Sequence, residues 1–534
     1  MAKRKREAVS ERDAPESKDK VVKKAKPSTK ATKKAKPSTA FKLAAGSSLT
    51  IQIVAGSYDR VLHGITAAIK PPPAGDSVKS SEKKQSKDDV LLKAQQVDFA
   101  DTFLFNAHNS AIRCLALSPP SAPVSGQSQK VILATGSTDE RINLYNLSAH
   151  PPSTRTAEGQ KLLSSLAPRP ILENPKNREL GTLLHHEGNI TRLVFPNRAK
   201  LMSSAEDSTV AVTRVRDWTL LHAFKCPVPK PQNRPTGGDT AVGGRGLSGV
   251  NDFAVHPSNK IMISVSKGER CMRLWNLETG KKSRVLNFDR QVLAEVGEGK
   301  WSTGEARRIV WGGSRDGEEE FAVGFERDVV VYGMDCVPKC RALGHTRTKV
   351  HEIRYVEVDQ EREESVLAVA TEDGRVVFVS TAKEDLVVPP AAAAKAGDDG
   401  NDKKKNNTPT VPAAKPLGQL GGKEAGVTGR VKDFVVLPVE DEDDGQRSFF
   451  IVTAGSDGRI RVWHLSASEL GAAAGGDKAG AEPKQVGKLL GAYETQNRIT
   501  CLGAFIMIPR PAGVEESEYE FESEESEDSD SDDE

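Results

Sequence analysis

The chain has 534 residues, of which 37% are hydrophobic, 28% charged and only 5% aromatic, and its 76 basic and 74 acidic residues leave a formal net charge of +2. No apolar run approaches the ~18 residues needed to span a bilayer, and the first residues lack the apolar core of a secretory signal, which argues against export. The six cysteines (114, 226, 271, 336, 340 and 501) include no CxxC pair. Cys336 and Cys340 are too isolated to be more than a weak zinc candidate, so all six read as reduced thiols in a reducing compartment.

The small net charge is the near-cancellation of two opposite ends. Residues 1–40 are rich in Lys and Arg and contain "KKAKPST" twice, at 23–29 and 33–39. Residues 509–534 are mostly Asp and Glu interleaved with Ser. Neither stretch can bury a core, and both are expected to be disordered tails.

Between them lies one repeating unit. "FKLAAGSSLTIQIVAGSYDRVLHGI" at 41–65 reads as two strands and a turn. Full units of strand, tight acidic turn and strand follow at about 98–147, 181–225, 248–285, 305–340, 344–386 and 429–490. The sixth shows the pattern best. In "VTAGSDGRIRVWHLS" an Asp-Gly pair, a strong hairpin signal, separates two alternating runs. Insertions are expected near 70–97, 148–180, 226–247, 387–428 and 470–481, a tolerable load because loop-closure entropy grows slowly with length. The last stretch, "NRITCLGAFIMI", is a strand with no hairpin of its own. If it joins the incomplete first unit, the array closes and its exposed edges vanish. The expected fold is therefore all-β, a seven-bladed propeller over 41–508 closed by its C-terminal strand.

Within the units, particular residues recur at fixed spacing. The first carries His108, Thr135, Asp139 and Tyr145; the second His186, Ser203 and Asp207; the third Trp275, with Glu269 at the turn and Val265 where a Ser or Thr would stand. The fifth carries His345 and Asp373, and the sixth Thr453, Asp457 and Trp463 with no equivalent His. The fourth has neither His nor turn Asp. Four separate copies cannot be one active site, so these are expected to be structural tetrads and not a hydrolase triad. A buried carboxylate needs such partners.

The set resembles the WD-repeat signature, in which a Gly-His and a Trp-Asp bracket each blade. The Trp-Asp pair is never intact here (Tyr145-Asn146, Trp275-Asn276, Trp463-His464), so only three to five copies should be recognisable to a repeat search. The ordered phrases "VAGSYDRVLHG", the doubled His185-His186, "VTAGSDGRIRVWHL" and "RITCLG" are similar to the maintenance-of-killer WD-repeat family, whose animal members are called p21-activated-kinase-interacting proteins. That resemblance implies a nucleolar assembly factor for the large ribosomal subunit, with no enzymatic activity and no cofactor. It implies as partners the pre-ribosomal particle, ribosomal and ribosomal-like proteins, other assembly factors and the rRNA backbone, with the chain a monomer inside a large complex.

The animal name implies an alternative, inhibition of a p21-activated-type kinase by direct binding. A chromatin or ubiquitin-ligase adaptor is a third. No phosphate loop, nucleophile elbow or metal spacing supports an enzyme or a metal site. Lys3, Arg4, Lys5 and Arg6 read as a nuclear import signal, and the Lys clusters behind them as sequence-blind RNA contacts. Ser529 and Ser531 each stand three residues before an acid, the spacing that suits acid-directed kinases.

Overall fold

The computed structural model describes residues 41–43, 48–70, 96–124, 128–151, 171–174, 176–228, 249–298, 302–343, 348–359, 364–387, 411–441, 446–472 and 483–509. Each recurring segment forms a strand because its side chains alternate between two buried environments. In Arg459–Ser466, Ile460 and Val462 enter one apolar cluster while Trp463 and Leu465 enter another. A strand buried on both faces must lie inside a stack of sheets.

Among the described residues there are seven such sheets. Blade 1 takes Leu49–Ser57, Val61–Ile69 and Val97–Asn106 from the start of the chain, and its innermost strand, Ile499–Ile506, from the end. The closing pair is antiparallel, with Ile51 opposite Ile506 and Gly56 opposite Cys501. Blade 2 is Ile112–Leu117, Lys130–Ser137, Ile142–Ser148 and Arg178–Leu183, and blade 3 is Ile190–Asn197, Lys200–Ala205, Thr209–Arg214 and Leu220–Lys225. Blade 4 is Val250–Val255, Ile261–Ser266, Cys271–Asn276 and Lys281–Asn287, and blade 5 is Arg308–Gly313, Glu319–Gly324, Val329–Gly333 and Pro338–Arg341. Blade 6 is Val350–Asp359, Glu364–Thr371, Arg375–Ser380 and Lys415–Gly421, and blade 7 is Val431–Asp441, Arg447–Gly455, Arg459–Ser466 and Lys488–Glu494. Phe41–Leu43 adds a fifth, parallel strand to blade 7 beside Val439–Asp441.

The innermost strand of each blade touches the innermost strand of the next, from blade 1 round to blade 7 and back to blade 1. The fold is a seven-bladed propeller, closed by the terminal strand as the repeat pattern predicts. There is no single core. Seven apolar clusters fill the seven seams, one between each pair of neighbouring blades. The seam between blades 6 and 7 holds the fully buried Phe378, Phe434 and Phe449. At about 1.5–3 kcal/mol for burying each such side chain, every seam is a substantial share of the stability.

Four features differ from the sequence expectation. The first unit read from sequence, 98–147, starts in the outer strand of blade 1 and ends in blade 2, whereas 248–285, 305–340 and 429–490 each match one blade. The stretch 387–428 is not all loop: Lys415–Gly421 is the outer strand of blade 6, because Leu417 and Leu420 reach the seam while Gly418 and Gly421 let the chain pass Val486 and the Gly374 carbonyl closely. The insertion expected at 148–180 likewise ends early, since Arg178 already pairs with Asn146. A short helix, Arg290–Glu295, capped by Asp289 and burying Val292 and Leu293, was not anticipated.

Candidate functional site

The acidic turns occupy one rim of the ring. In blades 2, 3 and 7 the turn Asp accepts the backbone N–H two residues on, from Arg141, Thr209 and Arg459, the local bond that makes Asp a turn residue. The tip residue is left-handed in six blades, with φ of 72° at Arg60, 67° at Glu140, 64° at Ser208, 72° at Gly268, 84° at Gly374 and 74° at Gly458.

In two of the sequence-predicted sets the structure brings the His, the Asp and the Ser or Thr together. His108 Nδ1 lies 3.1 Å from Asp139 Oδ2 and its Nε2 lies 2.9 Å from Thr135 Oγ1. His186 Nδ1 lies 3.0 Å from Asp207 Oδ2 and Nε2 lies 2.7 Å from Ser203 Oγ. Each histidine sits just past the outer strand of one blade and reaches the turn of the next. Burial pulls His108 below the usual imidazole range against the pull of Asp139. Burial would raise the Asp207 carboxyl, but bonds from His186 and Thr209 hold it below the usual range.

The other sets are partial. Tyr145 is buried beside Phe105, 5.5 Å between ring centroids, and Thr135 donates to the Asn143 carbonyl. Burial pushes the Tyr145 phenol up to about 12. In blade 7, Trp463 Nε1 donates to Thr453 Oγ1 at 3.1 Å, but Asp457 is held by Arg461 at 2.7 Å. In blade 4, Trp275 Nε1 donates to Ser264 Oγ at 2.8 Å, and Glu269 pairs with Arg273. The missing serine is thus present one residue before Val265, because this turn carries one extra residue. In blade 6, Thr371 donates to Asp373, which also pairs with Arg375 at 2.8 Å.

Arginine takes the place of histidine on these acids. "MRLW" and "IRVW" carried that signal, an Arg two residues before the Trp, and sequence reasoning passed over it. His345, Lys3, Arg4, Lys5, Arg6, Ser529 and Ser531 lie outside the described residues.

The ring axis holds a group that sequence reasoning missed altogether. Six of the inner strands carry a bulge near their start, and the residue after it points into the axis or the next seam. In blades 3, 4, 6 and 7 these residues are Arg192, Asp252, Glu352 and Asp433, and Arg308 joins them from blade 5. Arg192 reaches from blade 3 to both oxygens of Glu352 in blade 6, at 3.2 and 3.3 Å, and its Nε lies 3.4 Å from Asp252. Arg308 Nε lies 3.2 Å from Glu352, and Arg354 bonds Asp433 at 3.2 Å. Asp252 and Asp433 also accept backbone N–H groups of the following blades, from Ile309 and Leu502.

Three arginines therefore face three carboxylates, and the ion pairs link blades across the ring. Burial alone would raise the Glu352 carboxyl, but Arg192, Arg308 and Arg354 outweigh it and bring it down to about 2. Asp252 and Asp433 are raised, chiefly by burial.

At the blade 7–blade 1 seam, His63 Nε2 and the Tyr493 hydroxyl converge on Asp101 Oδ1, at 2.7 and 2.6 Å. Burial pushes the Cys114 thiol up to about 12. Among the described residues no three His, Cys, Asp or Glu are grouped to hold a metal, and no helix is long and apolar enough to cross a membrane.

A closed ring of seven sheets, six of four strands and one of five, defines a seven-bladed β-propeller, and the His–Asp–Ser/Thr and Trp–Ser/Thr bonds at its turns are consistent with the WD-repeat signature. No protein-family model matches the chain, fewer than the three to five recognisable copies expected, in keeping with the degenerate turns. Its homologues carry two names. The chain is similar to Protein MAK11 of Saccharomyces cerevisiae, 27% identical over 392 residues that cover 70% of this chain and 72% of that one. It is also similar to proteins named p21-activated protein kinase-interacting protein 1-like. The one from Gallus gallus is 24% identical over 404 residues, covering 76% and 73%, and the one from Xenopus laevis 22% identical over 416 residues, covering 78% and 76%.

Proposed function

We propose that the chain is a non-enzymatic scaffold that docks on a nucleolar pre-ribosomal particle and holds rRNA and ribosomal proteins in place during early maturation of the large subunit. The observation that supports this most is the similarity to Protein MAK11 over nearly three quarters of both chains. Its physical counterpart is a ring whose polar clusters are spent on structure. The His–Asp sets tie turns to neighbouring blades, ion pairs link blades across the axis, and the rims and outer strands remain for binding. Fold alone assigns no function; the basic residues 1–40 and acidic residues 509–534 supply the second support, one suited to rRNA phosphates and the other to basic ribosomal proteins. In this reading Lys3–Arg6 direct nuclear import and Ser529 and Ser531 are phosphorylated.

A second reading, binding and restraint of a p21-activated-type kinase, has the name of the chicken and frog relatives in its favour. Tagging the chain in its own cells, imaging it and identifying what co-purifies separates the two. Nucleolar signal with large-subunit proteins and assembly factors is expected. A cytoplasmic signal with a kinase as the main companion would overturn the scaffold reading in favour of the second.

A further inference from the structure

A strand at the edge of a sheet leaves alternate backbone N–H and C=O groups without a ladder partner. Four of the seven outer strands of this ring are covered by a backbone bond from a passing stretch of the chain. In blade 1 the Asp101 carbonyl accepts the Leu172 N–H, and in blade 5 the Arg341 N–H donates to Pro412 while its carbonyl accepts the Ala414 N–H. In blade 6 Gln419 is bracketed in the same way by Lys484 and Val486, and in blade 7 the Leu490 carbonyl accepts the Gln96 N–H. Among the described residues the outer strands of blades 2, 3 and 4 take no such bond.

Blade 4 has the longest of these three, Lys281–Asn287, and every residue of it except Leu286 is exposed. The Phe288 N–H bonds the Arg270 carbonyl, and the register runs on through Leu286 opposite Met272 and Arg284 opposite Leu274. By the alternation of an antiparallel ladder, the N–H and C=O of Val285 and Asn287 therefore face away from the sheet. Lys281, Lys282 and Arg284 stand on the same strand without a carboxylate in ion-pair distance among the described residues. Glu278 and Glu269 of this blade are taken by Lys260 and Arg273, and Asp289 caps the helix that follows. The other two open edges lack this single sign of charge: blade 2 sets Arg178 beside Glu179, and blade 3 exposes Leu220 and Leu221 with one cation, Lys225.

We propose that the outer strand of blade 4 is a docking edge for an extended acidic segment of a partner protein. The segment adds a strand to the sheet, its backbone pairing with Val285 and Asn287 and its carboxylates meeting Lys281, Lys282 and Arg284. The same three cations repel a second copy of this edge, so charge selects an acidic partner over self-pairing. A nucleic-acid backbone would meet the cations but offers no alternating row of donors and acceptors to the open edge. The site stands or falls separately from the ribosomal reading, because it is measured on the purified protein.

The test is fluorescence anisotropy with the full chain and a labelled ten-residue peptide of alternating Glu and Val. Saturable binding is expected, weakening severalfold between about 50 and about 300 mM salt. Val285→Pro removes an outward N–H while leaving the ladder to Cys271–Asn276 in place, and should weaken binding about tenfold or more. N-methylating the peptide backbone throughout should do the same on the unaltered chain, which tests the edge even where the proline variant is unstable. Changing Lys281 and Lys282 together to Glu should reverse the preference, toward a peptide of alternating Lys and Val. Absence of saturable binding would overturn the site and leave the lysines as guards of the edge. Equal binding of the methylated peptide, or of the Lys/Val peptide by the unaltered chain, would overturn it too. So would a single-stranded RNA that binds the chain and V285P alike and displaces the Glu/Val peptide from both, since the cations would then act without the edge.

Discussion

Replacing Glu352 by Gln keeps the shape of a fully buried side chain and removes the charge that Arg192 and Arg308 share across the ring axis. The carboxyl titrates at about 2 in the folded protein against an ordinary 4.5, a gap corresponding to about 3 kcal/mol of stability at neutral pH. Arg192 and Arg308 are only partly buried, so stranding them costs at most the ~3–5 kcal/mol of a fully buried broken pair, a bound consistent with that figure. The sign follows from the direction of the shift. A folded-state value below the unfolded one gives stabilisation that is complete above the unfolded value and fades as pH falls from 4.5 toward 2. Asp252 and Asp433 are both raised in part by the Glu352 charge, so in E352Q they fall toward the usual carboxylate range and offset part of the deficit. Urea unfolding followed by tryptophan fluorescence should show E352Q less stable by about 3 kcal/mol at pH 7, with the difference reduced by more than half at pH 3. Equal stability at pH 7, or a deficit that persists undiminished at pH 3, would refute the axial ion-pair account.

Other perturbations test the turns, the seams and the closure. His186→Ala leaves Ser203 and Asp207 without their shared partner and should cost about 1–3 kcal/mol in the same unfolding assay, a loss under 0.5 kcal/mol being contrary. Gly312→Ala drives a methyl group into the Tyr355 ring at the seam of blades 5 and 6, so the protein should be destabilised by about 1–3 kcal/mol, and an unchanged midpoint would mean the seam is loose. Deleting residues 499–534 removes the inner strand of blade 1 and exposes the edge of Leu49–Ser57. Size-exclusion chromatography should then show aggregates, whereas a monodisperse product with the original melting temperature would contradict closure by the terminal strand.

What the sequence made legible was local. Each acidic turn sits between two alternating runs, and the unpaired strand at "NRITCLGAF" called for a partner at the other end of the chain. The axis was not legible, because Arg192, Asp252, Arg308, Glu352 and Asp433 come from five inner strands far apart in sequence and meet only once the ring closes. The bulge that turns four of these side chains, all but Arg308, leaves no composition signal. Lys415–Gly421 was hidden by the Ala-, Lys- and Gly-rich stretch before it, although Leu417 and Leu420 mark its buried face. Ser264 was missed because a turn one residue longer shifted the fixed spacing that located Thr453 and Ser203.

The most direct test of the central claim is the sedimentation of the chain from cell extract on a sucrose gradient, with and without RNase. The scaffold account predicts co-migration with the precursor of the large ribosomal subunit and a shift to light fractions after nuclease. Migration as a free protein or a small complex under both conditions would contradict it.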